Sequence, residues 1–328
     1  MSNLIMINFN KGNINIYNDD AINQYKNWMR PNIIISDGPY GVKGFKGDPP
    51  TPQELPEIYE KHIREWSKYS KLNTTLWFWN TEIGWALVHP VLDRLGWEYK
   101  CTYIWDKGIN HIAGNCNTKT LSHLPKVTEV CVQYVRKAEF KDKEGNLLSM
   151  KDWLRYEWKR SGLPLSKTNE ACGVKNAASR KYFTNDYHWY MPPSDAFQLI
   201  VDYANKNGNA EGYPYFSIDG CTSLSKLEWE QYKANFKCKL GVTNVWQCPT
   251  LRGDERLKVN GKSIHLNQKP LELMELIIDI STNENDVVWE PFGGLCSGTI
   301  AADRMNRIAF AAEIDNTIYD IAKKRVME

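Results

Sequence analysis

Near the C-terminus an apolar run, residues 286–289, enters the turn Glu290-Pro291-Phe292-Gly293-Gly294-Leu295-Cys296-Ser297-Gly298-Thr299. It leaves into a helical pattern over residues 297–305, and a second apolar run follows at 308–312. A strand, a helix and a strand in so short a span pack in one way: two parallel strands joined by a helix that covers one face. Parallel strands need cover on both faces, so the rest of the chain must supply further layers. Short β-branched or aromatic runs predict strands at residues 14–17, 32–36, 75–79, 99–105 and 127–135. Helical spacing predicts helices over 56–71, 83–95, 270–282 and 317–325. The expected fold is α/β, a mostly parallel sheet with helices on both faces. Residues 140–262 break the alternation; they are polar and rich in Asn, Lys and Gly, and read as an inserted, mostly helical domain between 1–139 and 263–328.

The 328 residues are 42% hydrophobic, enough for a sizeable core. No stretch approaches eighteen uninterrupted apolar residues and Met1 to Asn10 lacks the pattern of a secretory signal, so a soluble, cytoplasmic protein with no membrane partner is expected. The eight cysteines include no Cys-x-x-Cys pair, which argues against a disulfide framework or a zinc ribbon. His111, Cys116 and His123 lack a fourth ligand at zinc-like spacing, so no metal is expected. Charge is unevenly placed: residues 140–262 carry 19 Lys and Arg against 14 Asp and Glu, while the remainder carries 22 against 25. Basic charge interleaved with Trp153, Trp158 and Trp189 suits a phosphate backbone and bases, and equally suits a solvated surface over core aromatics.

Three constellations carry chemistry. Asp37-Gly38-Pro39-Tyr40 closes the run Ile33 to Ile35, placing a carboxylate, a rigid turn and an aromatic face at one strand end. A carboxylate accepts one N–H of a heterocyclic amine, the next carbonyl accepts the other, and the phenol ring supplies a stacking plane. The turn after residue 289 lets a cofactor approach the backbone, and Glu313 ends the following strand, where an acidic side chain can bind two ribose hydroxyls. A dinucleotide oxidoreductase competes on this feature alone, but the spacing is not Gly-x-Gly-x-x-Gly. Third, His265-Leu266-Asn267-Gln268-Lys269-Pro270 precedes a helix whose positive end can hold a carboxylate.

Together these motifs resemble the β group of amino methyltransferases acting on DNA, whose signatures read Asp-Pro-Pro-Tyr, His-Pro-Thr-Gln-Lys-Pro and Asp-Pro-Phe-x-Gly-Ser-Gly-Thr. All three occur here in the family's order, and Asp19-Asp20-Ala21, Trp105-Asp106-Lys107 and Thr128-Glu129 add weaker matches over residues 10–137 and 245–326. The resemblance implies a circularly permuted, Rossmann-like methyltransferase sheet with an inserted target recognition domain. It implies S-adenosylmethionine as cofactor, held by Asp20, Lys269, Glu290, Phe292, Gly294 and Glu313, and catalysis by Asp37, Gly38, Pro39 and Tyr40. The implied substrate is double-stranded DNA, with a companion restriction endonuclease as a further partner and a monomer or homodimer as the assembly. Gly38 departs from the family's proline, Leu295 and Cys296 look like extra residues in the turn, and Leu266 and Asn267 replace Pro and Thr.

An exocyclic amine is a poor nucleophile until hydrogen bonds draw its nitrogen toward tetrahedral geometry, and Asp37 with the Gly38 carbonyl can do that. Such an amine is paired inside duplex DNA, so the base must be flipped out. Attack at cytosine C5 would need a cysteine after a proline, and no Pro-Cys dipeptide occurs. By resemblance Asp37 favours adenine N6 over cytosine N4. In the insert, residues 166–172 and 175–182 have the spacing of a helix-turn-helix, capped by Ser166 and turned at Gly173, and would present Asn176, Ser179, Arg180 and Lys181 to base edges; a small packing module has the same spacing. Arg252, Glu255 and Arg256 either touch phosphate or brace the domain junction. Asp48-Pro49-Pro50 is followed by Thr51 and reads as part of a loop, residues 41–55, beside the active site. Competing classes are an RNA or protein-amide methyltransferase and a DNA-binding protein with a catalytically silent fold.

Overall fold

The triplet Ile33-Ile34-Ile35 is β-branched throughout and buried on both sides, the pattern of a strand in the interior of a parallel sheet. The computed structural model describes residues 8–44, 47–111, 119–209, 212–233, 236–251, 256, 258–259, 262–263 and 268–327. In chain order the strands are β1 (Asn8–Lys11), β2 (Ile14–Tyr17), β3 (Ile33–Ser36), β4 (Thr75–Asn80), β5 (Trp97–Asp106), β6 (Thr128–Arg136), β7 (Phe140–Lys141), β8 (Leu147–Leu148), β9 (Val245–Gln247), β10 (Lys258–Val259), β11 (Lys262–Ser263), β12 (Val287–Glu290) and β13 (Ile308–Ala312). The helices are α1 (Ala21–Gln24), α2 (Leu55–Tyr69), α3 (Glu82–Arg94), α4 (Met150–Arg160), α5 (Lys167–Ala171), α6 (Ala177–Tyr182), α7 (Ser194–Asn207), α8 (Lys226–Glu230), α9 (Leu271–Ser281), α10 (Ser297–Arg304) and α11 (Asn316–Met327).

Among the described residues nine strands form one sheet in the order β1-β2-β13-β12-β3-β4-β6-β5-β9. Strands β2, β13, β12, β3 and β4 run parallel, as expected, while β6 is antiparallel to both its neighbours. Period-two alternation sorts the side chains: Ile34, Leu76 and Phe78 join one core, Ile33, Ile35, Trp77 and Trp79 the other. Helix α2 covers the first core with Leu55, Tyr59, Ile63 and Trp66, a stripe at helical spacing. On the opposite face α9 buries Leu273, Met274, Ile277 and Ile278. The chain runs from β12 through α10 to β13 on one side, and from β3 through α2 to β4 on the other. The border between β12 and β3 is therefore a topological switch point, where open α/β sheets place ligands beyond the carboxyl ends of the strands.

The chain divides into one unit of residues 1–136 with 234–328 and another of 137–233. Residues 245–247, expected within the insert, form β9 and extend the large sheet by pairing with β5. Trp246 anchors them by stacking on Tyr103 at 4.8 Å, a tertiary contact that a three-residue strand does not announce in its periodicity. The second unit is mostly helical and has its own aromatic core, in which Phe197 stacks on Trp229 at 3.9 Å. Trp153 and Trp158 belong to that core, and the Trp189 indole donates to the Tyr182 carbonyl. Trp153 and Trp158 are buried rather than displayed beside the unit's basic residues, and Trp189 packs half-buried against the same core.

Candidate active site

Strand register puts the carboxyl ends of β2, β13, β12, β3, β4 and β5 and the start of β6 on one edge of the sheet. Asp20, Glu313, Glu290, Asp37, Asn80 and Glu129 all follow from those strand ends. Asp37 and Glu313 are separated by one intervening strand, about 10 Å of sheet width.

Asp37 sits at the centre of a compact charge cluster. Its Oδ1 accepts from the Tyr40 hydroxyl at 2.8 Å and from Lys269 Nζ at 2.7 Å. Among the described residues every hydrogen bond to this side chain falls on Oδ1, so Oδ2 keeps its accepting capacity. Glu129 Oε2 lies 3.3 Å from Lys269 Nζ, and Glu129 also pairs with Lys107. Burial pushes the Lys269 ammonium down, but Asp37 and Glu129 outweigh it and hold the group above its usual range. Burial likewise pushes Glu129 up, and Lys269 with Lys107 bring it below the ordinary carboxylate value. The Tyr40 phenol stays protonated because burial, with Asp37 and Glu129 nearby, raises it well above normal. Lys269 was expected among cofactor-binding residues; the structure places it against Asp37, under the rings of Tyr40 and Trp79 at 5.3 and 5.1 Å.

The loop backbone is held from several sides. The Pro39 carbonyl accepts from the Tyr59 hydroxyl and from Asn80 Nδ2, each at 3.0 Å. Asp48, set aside on sequence grounds, accepts from the backbone N–H groups of Tyr40 and Val42, each at 3.0 Å. Gly38 lies so close to the glycine turn that an added Cβ would sit 2.7 Å from the Phe292 ring and 2.7 Å from the Tyr59 hydroxyl.

In the turn, Gly294 adopts φ +51° and Cys296 φ +56°, left-handed conformations that bring the backbone round under Glu313. Glu313 Oε2 accepts from Gly294 N at 2.8 Å and Oε1 from Asp315 N at 2.7 Å; burial raises its carboxyl above normal. Glu290 is differently employed from the expectation: it is buried and caps α10, accepting from Gly298 N at 2.9 Å, Thr299 N at 2.7 Å and Thr299 Oγ1 at 2.6 Å. Burial pushes Glu290 up to about 7. Phe292 packs its ring 4.7 Å from His62, which burial holds down to about 4 and so uncharged at neutral pH. Asp20 caps α1 by accepting from Ile22 N at 2.9 Å.

In the second unit α5 and α6 are separated by Gly173 at φ +64°, with Asn176, Arg180 and Lys181 exposed. Ser166 makes no side-chain capping bond, because it has entered helical geometry itself, and the Ser179 hydroxyl is taken by Asn169 at 2.9 Å. Arg256 Nε donates to the Leu251 carbonyl, while Arg252 and Glu255 lie outside the described residues. His265 to Asn267 and Cys116 also lie outside them; among the described residues no cluster could hold a metal, and no helix is long and apolar enough to cross a membrane. Glu129, Lys107, Tyr59, Asn80 and Asp48 carried no expected role. Glu129 and Lys107 stood inside weak family matches that could have pointed to them; Tyr59 and Asn80 are recognisable only from the packing.

Comparison with known proteins bears on the chain as a whole. A model of the N6/N4 methyltransferase family, described as DNA methylase, matches residues 31–324. The type II methyltransferase M.HindIII of Haemophilus influenzae is 41% identical over 71 residues, 22% of this chain and 23% of that protein. M.HinfI of Haemophilus influenzae is 35% identical over 111 residues, 32% of this chain and 31% of the relative. The matched segments thus span about a quarter to a third of these curated relatives. Among solved structures, that of an M1.HpyAVI–SAM complex covers 95% of this chain and 98% of its own, at 18% identity and a TM-score of 0.49.

Proposed function

Because this chain belongs to the N6/N4 DNA methylase family, we propose that it transfers a methyl group from S-adenosylmethionine to the exocyclic N6 of adenine in duplex DNA. The observation that carries the reading is the contact between the two motifs: Gly38, next to Asp37, abuts Phe292 of the glycine turn. A nucleophile held at the first therefore faces a donor held at the second.

The cofactor supplies a methyl group already activated on a sulfonium. The edge fits such a molecule: Gly294 at φ +51° turns the backbone under Glu313, Glu313 retains lone pairs beyond its two backbone donors, and the carboxylates of Asp20 and Glu313 give a field that favours a cation. Asp37 Oδ2 and the Gly38 carbonyl accept the two N–H bonds of the target amine, and Lys269 with Tyr40 fix the carboxylate through Oδ1. Tyr40 stacks on the base, and placement of the amine in line with the methyl group carries most of the rate. Opening the duplex costs a few kcal/mol. Asn176, Arg180 and Lys181, with the exposed rings of Tyr187 and Tyr190 in the same unit, are assigned to DNA contact.

The test is mass spectrometry of nucleosides from duplex DNA treated with protein and labelled cofactor, with Asp37→Ala as control. N6-methyladenine that disappears in the variant is expected. N4-methylcytosine alone refutes the base assignment, and unlabelled DNA refutes the activity.

A further inference from the structure

Gly38 poses a physical problem, since glycine gives the catalytic loop more freedom than the family's proline. The space that a proline ring would occupy is filled: a Cβ at position 38 would meet Phe292 Cδ2 and Cε2 and the Tyr59 hydroxyl, all at 2.7 Å. Tyr59 is fully buried, with its ring wedged edge-on between Phe78 at 4.9 Å and Phe292 at 5.8 Å, so the hydroxyl cannot swing aside. Burial holds that phenol well above its normal range, and it remains a donor at neutral pH.

We propose that Tyr59, together with Asn80, is a positioning residue for methyl transfer, replacing the missing proline as the element that rigidifies the loop and choosing which carbonyl the target amine meets. Both donors converge on the Pro39 carbonyl at 3.0 Å and use its two lone pairs. Among the described residues the Gly38 carbonyl receives no hydrogen bond, so it alone of the two stays open to the amine. Asn80 is oriented in turn, its Oδ1 accepting from Thr81 N at 2.9 Å, and Gly84 is bare where a Cβ would fall 1.8 Å from that oxygen. Tyr59 thus reaches the reaction only through the loop it holds.

This proposal rests on the methyl-transfer reading, and two measurements keep the failures apart. Tyr59→Phe removes the hydroxyl and keeps the ring. It should lower the single-turnover rate of methyl transfer about tenfold, the loss of one hydrogen bond, with cofactor affinity and melting temperature little changed. In the same variant, hydrogen exchange at the Tyr40 and Val42 amides should quicken by a similar factor, a readout that needs no catalysis. Gly38→Ala should also slow transfer, and Gly38→Ala/Tyr59→Phe should lose less than the product of the two single losses, because the Tyr59 hydroxyl is one of the groups an added Cβ would displace, beside the Phe292 ring. Unchanged exchange, an unchanged rate, or strictly multiplicative losses would each overturn the assignment. If the native chain transfers no methyl group, the activity reading fails while the exchange experiment still decides the clamp.

Discussion

Lys269 donates to Asp37 Oδ1 at 2.7 Å across 232 residues of sequence, and only 3% of its side chain is exposed. A buried ammonium in that position pairs with both Asp37 and Glu129, and Lys107 supplies the second positive charge beside Glu129. Lys269→Met would leave Asp37 without its cation in a poorly solvated site, beside a Glu129 that keeps only Lys107. The variant should lose about 3 kcal/mol of stability in urea unfolding at neutral pH, the scale of a broken buried pair. Methyl transfer should fall with it, by about tenfold or more, because Asp37 loses the donor that orients it. Stability equal to that of the native chain would show that the pair contributes nothing net.

Glu290 predicts a pH dependence. Its carboxyl ionises near 7 in the folded protein and near 4.5 in an unfolded chain, so between those values the native state holds the proton more tightly. Its contribution to stability is therefore fully present at the acid end and is lost as pH rises from about 4.5 through about 7. Unfolding measured at pH 5 and pH 8 should show a larger loss in the native chain than in Glu290→Gln, in which position 290 does not titrate. Equal losses would mean that Glu290 ionises normally in its cap.

Glu313 already spends one lone pair of each oxygen on the turn, at Gly294 and Asp315. Glu313→Gln keeps the size and removes the charge-assisted acceptors. Cofactor affinity read by calorimetry should weaken about tenfold, with the rate at saturating cofactor nearly preserved. Affinity within twofold of native would remove Glu313 from the site.

Asn176 and Arg180 are exposed on and beside α6, where no core role competes. Substituting both with Ala should leave melting and cofactor binding intact. Discrimination between cognate and altered DNA sites should fall by about tenfold or more, one lost base contact or two. Methylation mapped across a genome of known sequence is the measurement, and an unaltered site pattern would reassign recognition elsewhere.

Much of this architecture is legible in the chain because local chemistry is strong there. The Ile33–Ser36 strand, the Leu55–Tyr69 helix and the β12-α10-β13 unit follow from side-chain periodicity, and the structure places each within a residue or two of expectation. Val245–Gln247 was hidden, because a strand of three residues has no period and is stabilised by Trp246 stacking on Tyr103. The basic, aromatic middle of the chain read two ways, and burial of Trp153 and Trp158 favours a core over a display surface.

The candidate site divides along the same line. Residues adjacent in sequence, Asp37 to Tyr40 and Glu290 to Gly294, declare themselves through motif chemistry, since a strand end and a tight turn constrain only their immediate neighbours. Tyr59, Asn80, Glu129 and Lys269 reach that loop from separate parts of the chain, each through a side chain whose direction is set by the packing of the sheet, while Asp48 turns back onto it from eight residues on. Local sequence determined which strands and turns this protein builds and the kind of chemistry at their ends. Which oxygen of Asp37 stays open, and what holds Gly38 still, were decided only when nonlocal burial brought Tyr59, Asn80, Glu129 and Lys269 to one edge of the sheet.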